Sequence, residues 1–523
     1  MKTSGVDAAN TSPEELLADL ALSCAFWLGM GRVLRTLDIG QTCKLTLPGR
    51  DNPPRGLVAN TGHRHVPRCT MAAMTATPLA AAAIAQLEAE KVDAVIGTVV
   101  NPAGLTQTKT VPIRRTNTFA DPGVGASRVW HGFAIDQSGI AFTEDIGVVG
   151  DQRIRIDLSA LHIIGDGLAW APGAFFEQDG TPVPMCSRGT LGRIEATLAE
   201  AGIDAVVGHE IEFLLVNPDG SRLPSKLWAQ YGLAGLLEHE PFVRDVTAAA
   251  TASGVGIEQF HPEYGANQFE ISLTPRSPVA AADQLVLARI IIGRIARRYG
   301  MRVSLSPAPF VGNVGCGAHQ HFSLTTSKGP LFSDGTGAGG MTPTGENAVA
   351  GLLAGLPEAQ GILCGSIVSG LRLQPGNWAG AYACWGTENR EAALRFVKGG
   401  PANPYGGNVE VKMVDPSANP YFATATILGL ALHGIKEKAV LPPETRVDPA
   451  ALSDAARGRA GIVRLPGSHA EAIAALDKSE LLRTILGDPA VDVLVAVRRL
   501  EHEQYAHLNR EQLADKFRMA WSV

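Results

Sequence analysis

Cysteine is scarce in this chain, and the cysteines present are not spaced for a metal or redox motif. The 523 residues include seven cysteines, and no two of them stand at the CxxC spacing of zinc ribbons or thioredoxin-like proteins. An odd number without such pairs argues against a disulfide scaffold. We therefore expect reduced thiols in a cytoplasmic protein.

Long apolar runs and an excess of positive charge are also missing. No stretch of about 18 apolar residues lacks a charge, and the best candidate, 20–33, contains Arg32 and two glycines. That segment also lacks a basic lead and a cleavage site, so neither a membrane span nor a signal peptide is expected. A net charge of −6 without a basic stripe argues against nucleic acid as a partner.

The sequence divides into three parts. Residues 1–73 hold three of the seven cysteines and little periodic pattern, which predicts a weakly ordered extension. We expect the functional protein to begin near Met71 or Met74. Residues 74–178 predict a small, mostly β domain with a leading helix. Residues 179–523 predict an α+β catalytic domain in which helices pack outside a sheet.

Apolar periodicity and turn residues locate the secondary structure within these parts. The predicted strands of the first domain are 94–100, 108–113, 132–135, 140–142 and 154–157. The predicted helices are 80–90, 191–201, 281–298, 418–436, and one or two between 494 and 517. The glycine-rich stretch 335–345 lacks the Lys-Ser/Thr of a phosphate-binding loop and predicts a flexible surface loop.

Acidic and imidazole side chains recur in four short segments, mostly alternating with apolar residues. Alternate residues of a strand point to the same face, so each such group predicts one polar, cavity-lining face. The residues concerned are Glu210 and Glu212, Glu263 and Glu270 on either side of a turn, His319 and His321, and finally Glu410.

The five carboxylates and one of the imidazoles would repel or compete with one another unless divalent cations lay between them. Cations held in this way usually handle phosphate. The residues therefore predict a metal-dependent enzyme that uses ATP.

The four segments resemble the glutamine synthetase family, and the resemblance covers residues 74–523. It is carried by the E-x-E strand, the E…Q-x-E turn and the G-x-G-x-H-x-H segment, and then by the sequences of 389–395, 410–412 and 415–421. The resemblance implies an N-terminal β-grasp domain and a catalytic domain with a curved antiparallel sheet and outer helices. It also implies a homo-oligomeric ring, such as a dodecamer, whose active sites cross subunit boundaries.

The resemblance further implies two or more Mg²⁺ or Mn²⁺ ions in each site. One would be held by Glu212, Glu263 and Glu270, and another, between the ATP phosphates, by Glu210, His319 and Glu410. The implied substrate ligands are Arg372 for the α-carboxylate of glutamate, Gly315 for its amino group, His321 and Ser323 for the nucleotide, and Arg390 and Arg395 for the phosphates.

One position departs from the family pattern. Members that use ammonia have a glutamate where this chain has Trp378, and tryptophan cannot accept a proton, although its face attracts alkylammonium groups. Asp136 then remains as the carboxylate able to receive the proton of the amine. Lys412 replaces an arginine near the substrate, which keeps the charge but loses the planar fork.

Three functions follow for this sequence. The first is an ATP-dependent ligase that joins glutamate to a polyamine or another organic amine, as in the γ-glutamylpolyamine synthetase branch that the chain resembles. The second is true glutamine synthesis from ammonia. The third is a catalytically silent homologue that binds ligands for regulation, although six retained ligand groups argue against it because buried charges are costly.

Overall fold

The computed structural model of the chain describes residues 78–523, apart from residues 226, 313 and 404. The predicted extension 1–73 and the predicted start near Met71 or Met74 lie outside the described residues. The division into domains at residue 178 stays a prediction.

Helices and strands follow one another along the described residues. In chain order the helices are α1 (Pro78–Ala89), α2 (Thr116–Ala120), α3 (Ser187–Glu200), α4 (Leu233–Glu238), α5 (Glu240–Ala252), α6 (Pro278–Arg298), α7 (Pro343–Leu363), α8 (Ser369–Arg372), α9 (Pro420–Glu437), α10 (Asp454–Ala460), α11 (His469–Asp477), α12 (Glu480–Leu486), α13 (Asp488–Tyr505) and α14 (Arg510–Phe517).

The strands form two sheets. In chain order they are β1 (Ala94–Val100), β2 (Thr106–Pro112), β3 (Val124–Ser127), β4 (Asp151–Ile156), β5 (His162–Gly165), β6 (Leu168–Phe176), β7 (Ile203–Val216), β8 (Ile257–Pro262), β9 (Gln268–Leu273), β10 (Arg302–Ser304), β11 (Gln320–Thr326), β12 (Gly329–Pro330), β13 (Tyr382–Thr387), β14 (Ala392–Val397), β15 (Asn408–Val411) and β16 (Val463–Arg464).

The first sheet has the order β2-β1-β6-β4-β3, with β5 paired to β6. β1 and β2 form an antiparallel hairpin, and β1 runs parallel to β6. Apolar residues such as Val95 and Trp170 are buried in its core, as expected for strands rich in valine and aromatic residues. This sheet lies wholly within the segment that the sequence predicts as a separate β domain.

The second sheet carries most of the acidic segments. Its order is β16-β13-β14-β15-β11-β7-β9-β8, with β10 on β7 and β12 on β11. The pairs are antiparallel except for β13 and β14, which run parallel. The purely antiparallel sheet that the resemblance implies is therefore antiparallel apart from one pair.

Helices cover this sheet. α6 lies against β7, and α9 packs against α3, α6 and α7. α7 and α9 approach most closely at Gly351 and Gly434, where a Cβ atom added to Gly351 would lie 2.3 Å from the Cα of Gly434. Only glycine permits backbones to meet at this distance, so these two positions set the spacing of the helical layer.

Most predicted elements are confirmed, and the misses have physical causes. The strand 94–100 and the helices near 191–201, 281–298 and 418–436 are present. The strands at 132–135 and 140–142 are wrong, because that region contributes only an isolated bridge between Phe133 and Ile140 after a 3₁₀ turn. The predicted loop 335–345 overlaps the start of helix α7, which begins at Pro343 and was not predicted. The glycines and Pro357 within α7 have low helix propensity, so the sequence does not show a clear helical pattern there.

Within the described residues, no helix is both long and apolar enough to cross a membrane. The cytoplasmic location stays a prediction.

A buried ion pair ties helix α13 to the rest of the fold. Arg498 and Glu501 are almost completely buried, and Nη1 of Arg498 lies 3.1 Å from a carboxylate oxygen of Glu501. The same guanidinium donates to the carbonyl oxygens of Pro102, beside the first sheet, and Gly361, in α7. The pair therefore links three separate parts of the chain.

Replacing Arg498 with alanine should lower the free energy of unfolding by about 3–5 kcal/mol, because Glu501 would remain buried without its partner. Urea unfolding of the parent and the variant measures this. The matched control is Arg499→Ala on the same helix, whose ion pair with Asp477 is exposed and should contribute less than about 1 kcal/mol. Equal losses in the two variants would contradict a structural role for the buried pair.

Candidate active site

A cavity of about 850 Å³ opens beside strands β7, β8, β9, β14 and β15 of the second sheet. It brings together most of the site residues predicted from the sequence, although they lie far apart in the chain. These are Glu210, Glu212, Glu263, Glu270, Gly315, His319, Arg372, Trp378, Arg390, Arg395, Glu410 and Lys412.

Strand register explains how the acidic groups meet. Glu212 on β7 stands opposite Glu270 on β9, and His321 on β11 stands opposite Glu410 on β15. The backbone N–H of Glu210 donates to the carbonyl oxygen of His319, at 2.9 Å, which extends the pairing beyond the end of β11. Ile211 and Phe213 alternate with the acids and are fully buried on the opposite face.

A glycine allows these groups to converge. A Cβ atom added to Gly317 would lie 2.5 Å from Nε2 of His319 and 2.9 Å from both a carboxylate oxygen of Glu212 and Nη2 of Arg372. Any side chain at this position would displace all three groups. The N–H of Gly317 also donates to Glu212, at 2.9 Å, and holds that carboxylate at the cavity wall.

Three groups of residues have ligand atoms close enough to share a metal ion. Within each group, one atom from each residue lies within 4.8 Å of the others. The groups are His261, Glu263 and Glu270; Glu210, Glu270 and His319; and Glu210, His321 and Glu410. These groups overlap the two triads implied by the resemblance but differ in membership.

His261 was not among the predicted ligands. It lies two residues before Glu263 and opposite Glu270 across the β8–β9 pair, with Nε2 3.6 Å from Glu270. The signal was present, because His261 has the same two-residue spacing from Glu263 as the other ligand pairs. Glu212, by contrast, belongs to none of the three groups found among the described residues, and it accepts a hydrogen bond from Gln268.

Crowding shifts the pKa values of the acids in opposite directions. Burial, followed by the charges of Glu210 and Glu212, raises the pKa of Glu270 to about 7. Burial and the charge of Glu212 also raise the pKa of Glu263. At Glu410, burial is outweighed by the nearby charge of Lys412, which lowers the pKa to about 2.

The histidines take up the opposite charge. The hydrogen bond to Glu270 raises the pKa of His261 to about 9. Burial opposes charging of His321, but its contact with Glu210 raises its pKa to about 9. These raised pKa values favour charged imidazoles, which partly balance the acids as a divalent cation would.

These features fit divalent cations. The ligand set consists of carboxylates and imidazoles, which suit Mg²⁺ or Mn²⁺. Nε2 of His321 is buried and forms no hydrogen bond, although it lies 3.4 Å from Glu210. Burial and the charges of Glu210 and Glu212 raise the pKa of Glu270 despite its contact with His261, so a cation at this position would meet an acid that its surroundings leave costly to ionise.

Cationic side chains lie among the acids of the cavity. Arg395 and Lys412 each donate to Glu410, at 3.0 Å, and Arg395 also donates to Glu388. Arg372 is buried, and its two Nη atoms donate to the carbonyl oxygens of Lys412 and Met413. Arg390 is exposed to the cavity. A phosphate that entered here would therefore meet guanidinium groups next to the ligand cluster.

Three predicted site residues lie outside the cavity. His321 stands behind Glu210, and its Nδ1 lies 2.9 Å from Oδ1 of Asn408. Ser323, two residues further along β11, lines a second cavity of about 490 Å³. Asp136 belongs to the region of the first sheet, where its carboxylate accepts hydrogen bonds from Tyr505 and from the backbone N–H groups of Ser138 and Gly139. Partial burial opposes ionisation, but these donors keep the pKa of Asp136 below its usual value.

The mouth of the cavity is aromatic. Trp378 is 46% exposed, and its ring centroid lies 5.4 Å from that of Tyr264. Tyr231 completes the rim beside Glu263, and burial together with the charge of Glu263 raises its pKa to about 12. The two tyrosines were not predicted, because only the folded chain brings Tyr264 to Trp378 and Tyr231 to the cavity.

Comparison with known proteins identifies relatives of this chain. Residues 184–516 match the family described as glutamine synthetase, catalytic domain. The gamma-glutamylpolyamine synthetase GlnA3 of Streptomyces coelicolor is 39% identical over 441 residues, which cover 83% of this chain and 94% of that protein. A glutamine synthetase of Pyrococcus abyssi is 32% identical over 335 residues, which cover 63% of this chain and 74% of that protein.

A solved structure shares the fold. A crystal structure described as a novel glutamine synthase homolog has a TM-score of 0.73 and is 28% identical. The similarity covers 82% of this chain and 99% of that chain.

Cation binding should be coupled to proton release. Mn²⁺ binds the ionised carboxylate, and burial raises the pKa of Glu270 to about 7. The affinity for Mn²⁺ should therefore rise between about pH 6 and about pH 8, by at most about tenfold for each pH unit. Isothermal titration calorimetry at several pH values measures this. Glu270→Gln should bind Mn²⁺ more weakly and with a shallower pH dependence. An affinity of the parent that is independent of pH in this range would contradict the account.

Proposed function

The chain belongs to the glutamine synthetase family, and from this we propose that it is an ATP-dependent ligase that joins the γ-carboxylate of glutamate to an organic amine. The match to the catalytic domain of the family spans more than half of the chain, and the acidic and cationic residues that line the cavity supply the groups that such a reaction needs. The observation that carries the choice of amine is the aromatic mouth formed by Trp378, Tyr264 and Tyr231.

The proposed reaction has two steps. A γ-carboxylate oxygen of glutamate attacks the γ-phosphorus of ATP, which releases ADP and leaves γ-glutamyl phosphate. The neutral amine then attacks the carbonyl carbon, the bond to the phosphate oxygen breaks, and phosphate leaves with the electron pair. The amine loses one proton, so the products are γ-glutamyl amide, ADP, phosphate and H⁺.

The residues of this chain divide these tasks. We assign Arg372 to the α-carboxylate of glutamate and Gly315 to its amino group, with Lys412 beside them. Arg390 and Arg395 would face the transferred phosphoryl group, whose charge guanidinium groups stabilise. His321 and Ser323 would lie along the nucleotide, and Ser323 lines the second cavity.

Two or more Mg²⁺ or Mn²⁺ ions, when bound, would neutralise the phosphate oxygens and polarise the phosphorus. The residues that would hold them are Glu212, Glu263 and Glu270 for one ion and Glu210, His319 and Glu410 for another, with His261 as a further candidate beside Glu263. The proximity of Glu263 to Glu270, and of Glu210 to His319 and to Glu410 in separate groups, supports this assignment, whereas Glu212 belongs to none of the groups found among the described residues.

The aromatic mouth favours an organic amine over ammonium. Aromatic faces attract alkylammonium groups and pack against methylenes, whereas the small, strongly hydrated ammonium ion gains little from them. Glu263 lies beneath the rim and would attract either cation. A polyamine is the substrate class that best uses both the aromatic rim and the acidic wall, in line with the name of the 39% identical relative.

We further propose a homo-oligomeric ring. Asp136 lies outside the cavity of its own chain, so a second copy of this chain would have to supply it as the acceptor of the amine proton. The first sheet, with its antiparallel hairpin and the parallel β1–β6 pair, is consistent with a β-grasp domain in that role.

Glutamine synthesis from ammonia is the second candidate. It is favoured by the similarity to the glutamine synthetase of Pyrococcus abyssi and by the acidic residues beneath the rim.

Phosphate release measured with ATP, Mg²⁺, glutamate and different amines should distinguish ligation of an organic amine from glutamine synthesis. Putrescine, spermidine, ethanolamine or methylamine should support turnover with a higher kcat/KM than ammonium. Trp378→Glu should shift the ratio of organic amine to ammonium by about tenfold toward ammonium, because a carboxylate replaces an aromatic face. Trp378→Phe, which keeps an aromatic ring, is the control. Preference of the parent for ammonium would make this chain a glutamine synthetase.

Glu210→Ala should lower ATP turnover by roughly a hundredfold or more, because Glu210 contributes to two of the three ligand groups. The same phosphate assay measures this. Glu200→Ala, an exposed position at the end of α3, should retain full turnover. Unchanged turnover in Glu210→Ala would remove the metal assignment, and a parent without turnover on any amine would favour a silent homologue.

A further inference from the structure

The loop that carries Trp378 is anchored at its ends and open at its tip. Leu373 and Ala379 are buried, whereas Gly376 and Trp378 are exposed. Trp378 has φ of +50°, a left-handed conformation that disfavours residues other than glycine. Such a conformation persists only where surrounding contacts hold it.

One side chain from another element supplies such a contact. The backbone N–H of Trp378 donates to Oε1 of Glu391, at 3.1 Å. Glu391 immediately precedes β14 and is itself half-buried, and its own N–H donates to Oδ1 of Asn389. Asn389 therefore holds the backbone of Glu391, and the Glu391 carboxylate in turn accepts from the tip of the loop.

The ring of Trp378 has a separate contact. Its centroid lies 5.4 Å from the ring of Tyr264, which follows the ligand Glu263 directly. Two contacts thus determine where the indole stands over the cavity: the Glu391 carboxylate through the backbone and Tyr264 through the ring. Burial raises the pKa of Glu391, against the effect of the Trp378 N–H, as expected for an acid enclosed beneath this loop.

We propose that Glu391 is a positioning residue that fixes Trp378 over the mouth and thereby sets the affinity for the amine. It does not line the cavity as Trp378 does and acts through the backbone of the loop. The inference rests on the proposed function, because it assigns the choice of amine to Trp378.

Kinetics with single and double variants test the coupling. Glu391→Leu should raise KM for the preferred organic amine about tenfold, since a charge-assisted hydrogen bond is lost, while KM for glutamate and for ATP changes less than about twofold. Glu391→Gln retains a carbonyl acceptor and should stay within about threefold of the parent. In a Trp378→Ala background, Glu391→Leu should add less than about twofold.

The matched control is Glu444→Leu. Glu444 likewise accepts a backbone N–H, that of Thr387 at 2.9 Å, but it lies outside the cavity, so KM for the amine should not change. The proposal is overturned if Glu391→Leu has the same effect with and without Trp378, if the leucine and glutamine variants behave alike, or if KM for glutamate rises in parallel.

A fluorescence readout separates this proposal from the proposed function. Acrylamide quenching of the parent and of Trp378→Phe defines the contribution of Trp378 to the emission, and Glu391→Leu should increase the quenching of that contribution. If the parent prefers ammonium, the proposed function fails, but the quenching still shows whether Glu391 holds Trp378. Unchanged quenching in Glu391→Leu would overturn the positioning role.

Discussion

Repulsion among carboxylates on one face of a sheet is the constraint on which the site depends. Glu210, Glu212 and Glu270 occupy neighbouring positions on β7 and β9, and Glu410 approaches from β15. Groups this close cannot all ionise without compensation, and the protein supplies it unevenly. Glu410 has Lys412 and Arg395, whereas Glu270 has only a histidine and carries a raised pKa. The uncompensated part of the cluster is where cations are needed, and it faces the cavity.

The rest of the site follows from this asymmetry. Acids and guanidinium groups that line one cavity create a space suited to a phosphate bridged by cations, which is the chemistry of carboxylate activation by ATP. The mouth is built differently, from aromatic rings on a loop and on the β8–β9 turn. Under the proposed function, a change of amine specificity at the rim would leave in place the groups assigned to carboxylate activation.

The sequence predicts which residues belong to the site better than it predicts which of those residues lie next to each other. Alternation within a strand shows that Glu210 and Glu212 share a face, because side-chain direction is a local property. The two-residue spacing of His261 from Glu263 is visible in the sequence, but its position opposite Glu270 depends on the pairing of β8 with β9, which no local pattern reveals. Helix α7 was missed because its glycines and Pro357 contradict helical propensity, and only tight packing against α9 explains them. Asp136 illustrates a different limit of prediction. The fold of one chain leaves it outside the cavity, and no sequence pattern relates it to the cavity residues.

The most direct test of the account follows the γ-carboxylate oxygen itself. Glutamate labelled with ¹⁸O in the γ-carboxylate is incubated with the enzyme, ATP, Mg²⁺ and an organic amine that supports turnover, and the products are analysed by mass spectrometry. The account predicts γ-glutamyl amide and released phosphate that carries one ¹⁸O atom, because the carboxylate oxygen leaves with the phosphoryl group. Phosphate without label, or phosphate formed without an amide, would contradict ligation through γ-glutamyl phosphate.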